Sequence, residues 1–185
     1  MLFDTDQYYV ELHNLQYSKL DLQQFLESND FNWQLYWLPE WGNSQEYDET
    51  YKNHYIDISN YTQLPMLKKI VDQLPELVRF DQMCRFKKFP KNFVHGLHKD
   101  NEESSWSNKR KAFIHIPISD NASAINFYND QKEFVCKLNY TVPTLVNTQQ
   151  YHIIDTPTQI RTSLQVTMPH HFEWKEVKNL ILQHL

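Results

Sequence analysis

From Met83 to Met168 the chain reads as one short segment after another, each rich in β-branched and aromatic residues. "MCRFKKF", "FVHGLH", "KAFIHIPIS", "AINFYN", "EFVCKLN", "PTLVN", "YHIID" and "IRTSLQVTM" are divided by turn chemistry such as "PKN", "SDNAS", "NDQK" and "DTPTQ". Eight such strands predict an antiparallel sandwich or barrel. The flanks instead carry helical spacing. Leu20, Leu22, Phe25 and Leu26 in "YSKLDLQQFLESND" predict one helix. Leu67, Ile70, Val71 and Leu74 predict another, entered near Pro65 and ended by Pro75. Trp174, Val177 and Ile181 give the tail "FEWKEVKNLILQHL" an apolar stripe. The expected class is mainly β with flanking helices (α+β), arranged as a jelly roll.

A chain of 185 residues suits one domain with a full core. Within 1–185, residues 1–80 are expected as an α-rich support, 83–168 as the jelly-roll core and 173–185 as a C-terminal helix covering the barrel. "NWQLYWLPEW" reads as extended and is stopped by Pro39. Its neighbourhood places Trp33, Trp37 and Trp41 in the core, or along one wall of a substrate cleft.

Several function classes drop out. The two glycines, Gly42 and Gly96, cannot spell a dinucleotide fingerprint or a P-loop. No serine sits in a G-x-S-x-G elbow. A net charge of -5 without a basic run argues against nucleic acid as the main partner. Cys84 and Cys136 lack C-x-x-C spacing, so neither a zinc knuckle nor a disulfide framework is indicated. The opening "MLFDTDQYYVEL" is acidic where a signal peptide is basic, and no apolar run reaches the roughly 18 residues of a membrane span. A soluble cytoplasmic protein without membrane partners is expected.

The chemistry concentrates in "VHGLHKD". Residues i and i+2 of a strand share a face, so His98 and Asp100 can offer an imidazole and a carboxylate to one point. His95, three residues from His98, is expected on the opposite face. A third donor is available in His152, 54 residues after His98. Arg161 follows nine residues later, with Ser163 two beyond it. A turn at "DTPTQ" would set "YHIID" and "IRTSL" side by side.

H-x-D, a distant histidine and then R-x-S resemble the Fe(II)/2-oxoglutarate-dependent oxygenases over about Met83 to Met168. The wording of "RKAFIHIPI" and "HIIDTPTQIRTSLQV" is most similar to their aspartyl/asparaginyl β-hydroxylase-like branch. The resemblance implies a double-stranded β-helix, the cupin-like jelly roll. It implies Fe(II) held by His98, Asp100 and His152, with 2-oxoglutarate and O2 as cosubstrates. Arg161 would pair with the distal carboxylate of 2-oxoglutarate, Ser163 would hydrogen-bond it, and His115 would lie near it. Asp100 departs from the animal members of that branch, which lack the carboxylate ligand. "PKN" stands where the wider family often has Pro-Gly. Residues 1–80 fall outside the resemblance.

The residue types suit that chemistry. Two histidines and a carboxylate on one face of Fe(II) leave positions open for a bidentate oxoacid and for oxygen. A planar guanidinium holds a carboxylate through two parallel bonds. The expected activity is a dioxygenase that hydroxylates an unactivated C–H bond of a small molecule, peptide or protein. The alternative is a cupin-type metal-dependent isomerase or a non-catalytic metal-binding jelly roll, which would not need Arg161. For Arg161 itself the alternative is a salt bridge with Asp155 across a hairpin. Arg85 and Lys87 are expected as solvated strand positions, with contact to the cosubstrate as the alternative. "DNEESSWSNKR" is a candidate lid, and His170 and His171 read as a surface turn.

Overall fold

The computed structural model describes residues 5–29, 55–58, 63–79, 83–100, 111–120, 123–168 and 171–185. Trp33, Trp37, Trp41, His170 and the candidate lid beyond Asp100 lie outside these residues. In chain order the strands are β1 (Tyr9–Glu11), β2 (Tyr55–Ile58), β3 (Met83–Phe89), β4 (Ala112–Pro117), β5 (Ala124–Tyr128), β6 (Phe134–Asn139), β7 (Thr144–Asn147), β8 (Tyr151–Ile154) and β9 (Arg161–Thr167). The helices are α1 (Lys19–Ser28), α2 (Pro65–Val71), α3 (Glu76–Arg79) and α4 (Trp174–His184).

Two antiparallel sheets make the roll. One runs β1-β7-β4-β9-β3-β2 and the other β6-β5-β8. Alternation gives the large sheet two different faces. Cys84, Phe86, Ile114, Ile116, Leu145, Leu164 and Val166 face the helices and form one apolar core with Leu22, Leu67, Ile70, Val71, Leu74, Val177 and Ile181. The opposite face looks into the roll. There Phe113 and Val146 pack with Ile125, Phe127, Leu138 and Tyr140 of the small-sheet side.

The helices form where spacing and capping agree. Ser18 caps α1, its hydroxyl accepting from the Asp21 amide at 3.1 Å. Leu22 is buried, whereas Leu20, off the stripe, is 60% exposed. Pro65 opens α2 at the position where a missing N–H costs nothing. Glu173 and Glu176 form a reciprocal capping box at the start of α4. No helix among the described residues is long and apolar enough to cross a membrane.

Two expectations are corrected. "FVHGLH" is not a strand. After β3, Pro90 ends the ladder and Asn92 turns with a φ of 65°. Only His98 pairs again, in an isolated bridge to His152. Nor are "YHIID" and "IRTSL" neighbours: β8 lies at the edge of the small sheet, and β9 lies between β4 and β3 in the large one. The "DTPTQ" link crosses between sheets instead of closing a hairpin. Asp155 is held within the small-sheet side by Asn126 and Lys137, so it is no partner for Arg161.

Candidate metal centre

The crossover places His152 and Arg161 on facing walls of one interior. His152 sits mid-strand on β8, 3% exposed. The bridge brings His98 alongside: His98 N donates to His152 O at 3.1 Å, and His152 N donates back to His98 O at 2.9 Å. The Asp100 amide is tied to Thr148 O at 3.1 Å, which continues the segment past the bridge. Donor atoms of His98, Asp100 and His152 thereby all lie within 4.8 Å of one another. His98 Nε2 is 3.4 Å from an Asp100 carboxylate oxygen.

Each histidine is locked in the same way. His98 Nδ1 lies 2.9 Å from Gly96 O, and His152 Nδ1 lies 2.9 Å from Gln150 O. A carbonyl can only accept, so both Nδ1 atoms carry a proton, which leaves Nε2 as the atom of each ring that can turn to a metal. This carbonyl-held tautomer is the usual support of a metal-ligating imidazole. Burial pushes the His152 pKa down to about 4; the neighbouring His98 adds to this and Asp100 opposes it. His152 is therefore neutral near pH 7, the form that binds a metal. Two imidazole nitrogens and one carboxylate, contributed from one side, fit a divalent transition ion with open positions. His95 departs from its expected placement. Residues 93–97 form no strand, so its ring lies beside that of His98, with centroids 4.3 Å apart.

Across the interior, Arg161 opens β9 and is 2% exposed. Its Nη1 donates to Ser123 Oγ at 2.8 Å and its Nη2 to His115 Nε2 at 3.2 Å. The guanidinium also lies over Tyr140, 4.7 Å from the ring centroid, and 5.6 Å from that of Phe89. Among the described residues no carboxylate stands within ion-pair reach of it. A buried cation without a counter-ion is expensive, and burial accordingly lowers the Arg161 pKa. Two residues along, Ser163 Oγ is buried with no hydrogen-bond partner. His115 stacks on Tyr140 with centroids 3.8 Å apart. Burial, and then the charge of Arg161, hold the His115 pKa well below its ordinary value.

Tyr140 and Phe89 are the site residues that sequence reasoning missed. No pattern marks Tyr140, which sits one residue beyond β6. Arg85 is 4% exposed, so its reading as a solvated position is corrected: the face it occupies looks inward and not to water. His171 is exposed and stacks on Phe172, as a surface position does.

Two buried neutral histidines make the metal-free fold acid-sensitive. An imidazole that stays neutral when folded but protonates near pH 6.5 when unfolded leaves the native state with fewer bound protons below that pH. The stability is complete above about pH 6.5 and is lost as pH falls towards 4. His152 should contribute about 1–2 kcal/mol of that loss by pH 5, and His115 adds to it in the same direction. Urea unfolding of metal-free protein at pH 7.5 and 5.0 measures it. His115→Gln should lose less on acidification than wild type, and an equal loss would rule His115 out as a contributor.

No protein-family model matches the chain, and no curated protein does. Solved structures do match in shape. A prolyl 4-hydroxylase from Phytophthora capsici is 12% identical, with a TM-score of 0.59 over 90% of this chain and 60% of that one. A prolyl hydroxylase from Trichoplax adhaerens, solved with a peptide fragment of the hypoxia inducible factor oxygen degradation domain, is 12% identical, with a TM-score of 0.52 over 94% of this chain and 87% of that one. The fold shared with these hydroxylases is the double-stranded β-helix.

Proposed function

We propose that the protein is an Fe(II)- and 2-oxoglutarate-dependent dioxygenase that hydroxylates an unactivated C–H bond. The observation that carries this reading is the buried Arg161, which has no carboxylate partner among the described residues, in a fold that also gathers the donor atoms of His98, Asp100 and His152. In this reading His98, Asp100 and His152 hold the metal through two Nε2 atoms and one carboxylate. Arg161 takes the far carboxylate of 2-oxoglutarate, and Ser163 Oγ donates to it. His115 accepts from Arg161, and together with Tyr140 it fixes the plane of the guanidinium. The apolar packing of Phe113, Phe127 and Tyr140 keeps water from the cosubstrate. Iron(II) bound there would supply the redox chemistry by which O2, 2-oxoglutarate and R–H become succinate, CO2 and R–OH.

The substrate classes remain a small molecule or a peptide or protein side chain, with neither nucleic acid nor membrane as partner. Residues 1–185 act as a single oxygenase-like domain; the core shared by helices and sheet supports this. Cytoplasmic placement is supported by two free cysteines, Cys84 and Cys136. Assignment to the aspartyl/asparaginyl β-hydroxylase-like branch rests on the wording of residues 110–118 and 152–166 alone. The test is anaerobic titration of the Fe(II)-loaded protein with 2-oxoglutarate, followed by its metal-to-ligand charge-transfer absorption. A saturable band is expected. Its absence would favour the cupin-type isomerase or the non-catalytic metal-binding roll.

A further inference from the structure

The two segments that carry the candidate metal ligands meet a second time, on the side turned away from the cluster. Lys99 stands between His98 and Asp100, and Tyr151 stands next to His152. Neighbouring positions on an extended chain point to opposite sides, so Lys99 and Tyr151 leave the interior where the ligands enter it. Their side chains then touch: Lys99 Nζ lies 4.3 Å from the centroid of the Tyr151 ring.

The same ammonium donates to Asp130 Oδ1 at 2.7 Å. Asp130 belongs to the turn between β5 and β6. β5 pairs with β8, and its last residue, Tyr128, stands opposite Tyr151. The turn is well tied. The Asn129 amide donates to Glu133 O at 3.0 Å, the Lys132 amide to Asn129 O at 2.9 Å, and the Glu133 amide to Asn129 Oδ1 at 2.8 Å. Lys99 therefore fastens its own segment both to β8 and to the β5–β6 turn.

The two contacts are unequal. The Lys99 side chain is 18% exposed, but that of Asp130 is 76% exposed. An ion pair with an exposed carboxylate contributes little and is screened by salt. A cation over a ring gains more as water is withdrawn from it. The ring is the stronger arm, and Asp130 steers the ammonium onto it. Lysine gives up much rotamer freedom when it is held this way. Here that loss falls at folding, before a metal arrives, so the ligands are already gathered when it does.

We propose that Lys99, steered by Asp130 onto Tyr151, is a positioning residue of the metal centre: it locks the His98–Asp100 segment against β8 from outside. A metal on the inner side and the ammonium on the outer side close one seam from both faces. The inference rests on His98, Asp100 and His152 holding a metal and makes no use of the cosubstrate. Its sign is distinctive. A bare positive charge near a metal site repels the metal, so deleting it should tighten binding. Deleting a clamp should weaken binding.

The experiment is Co(II) titration of the full chain against a chromophoric chelator, with the cobalt d–d absorption as a record of ligand geometry. Outer supports of ligating residues are typically worth roughly 10- to 100-fold. Lys99→Met and Tyr151→Leu, which act through backbone, should each weaken Co(II) binding about fivefold or more and shift the d–d bands. The double variant should lose no more than the worse single one, because both remove the same contact. Lys99→Arg and Tyr151→Phe keep the cation and the ring and should stay within about twofold. Asp130→Asn should fall between wild type and Lys99→Met. Lys132→Met removes an exposed ammonium 5.4 Å from the same ring and should leave the affinity within about twofold. Tighter or unchanged binding in Lys99→Met overturns the clamp, as does a loss that Lys99→Arg fails to recover. If Lys99→Met does not fold, Tyr151→Leu reads the same contact from its other side. Wild-type protein that binds no Co(II) overturns the metal centre and the clamp together. Wild-type binding with indifferent Lys99→Met and Tyr151→Leu overturns the clamp alone.

Discussion

Replacing His152 with alanine should abolish tight Fe(II) binding while the fold persists. Its imidazole is one of the two in the cluster, and its Nε2 is aimed by the Nδ1 bond to Gln150 O. Disturbing the outer support of a ligating histidine typically costs 10- to 100-fold in affinity, so losing the ligand itself should exceed about 100-fold. The ladder to β5 is made by backbone atoms and survives the change. Competition with a chromophoric chelator reads the affinity, and circular dichroism checks the fold. Wild-type iron affinity in a folded His152→Ala protein would reduce the cluster to three polar neighbours.

For Arg161→Ala the expected result is the opposite division: metal affinity within twofold of wild type, and cosubstrate affinity down by about 30- to 1000-fold, or roughly 2–4 kcal/mol. The guanidinium touches none of the three donors, and its contacts are Ser123, His115, Tyr140 and Phe89. What it lacks among the described residues is an anion. Arg161→Lys should recover only part of the loss, because an ammonium cannot make the two parallel bonds. Anaerobic titration with 2-oxoglutarate, following the charge-transfer band in all three proteins, gives the midpoints. An unchanged midpoint in Arg161→Ala would make the arginine a structural residue.

Strands β3 to β9 were legible because turn residues bracket each of them, and the helices because apolar spacing and capping agree. Pairing was not. A short link such as "DTPTQ" looks like a hairpin whether it joins neighbours or crosses between sheets, since the partner of a strand is set by distant residues. The inward face of the large sheet was misjudged for a related reason. Alternation along β3 and β9 sets Arg85, Ser163, Gln165 and Thr167 against Phe86, Leu164 and Val166, a pattern that also describes a strand with one wet side. A polar interior and a solvated surface cannot be told apart in one dimension. The convergence of His98 and His152 across 54 residues was accessible only through the family resemblance. Tyr140 carries no signal, because stacking on a guanidinium leaves no spacing rule behind.

The lone bridge between His98 and His152 also makes the centre a clasp. Residues 93–97 have no ladder of their own, and the backbone from Pro90 to Asp100 is tied to the rest of the fold by the Asn92 amide to Pro157 O, the paired bonds of the bridge and the Asp100 amide to Thr148 O, with Lys99 pairing to Asp130 besides. A cation that binds both sides of the bridge resists its opening by mass action, by about 2.7 kcal/mol at one hundred times its dissociation constant. Lys91 is exposed within that run, so trypsin should cut there faster in chelator-treated protein than in iron-loaded protein. Identical cleavage rates would mean that the backbone bonds suffice. If the clasp closes on iron, iron supply would govern how long each copy of the chain survives as well as whether it can react.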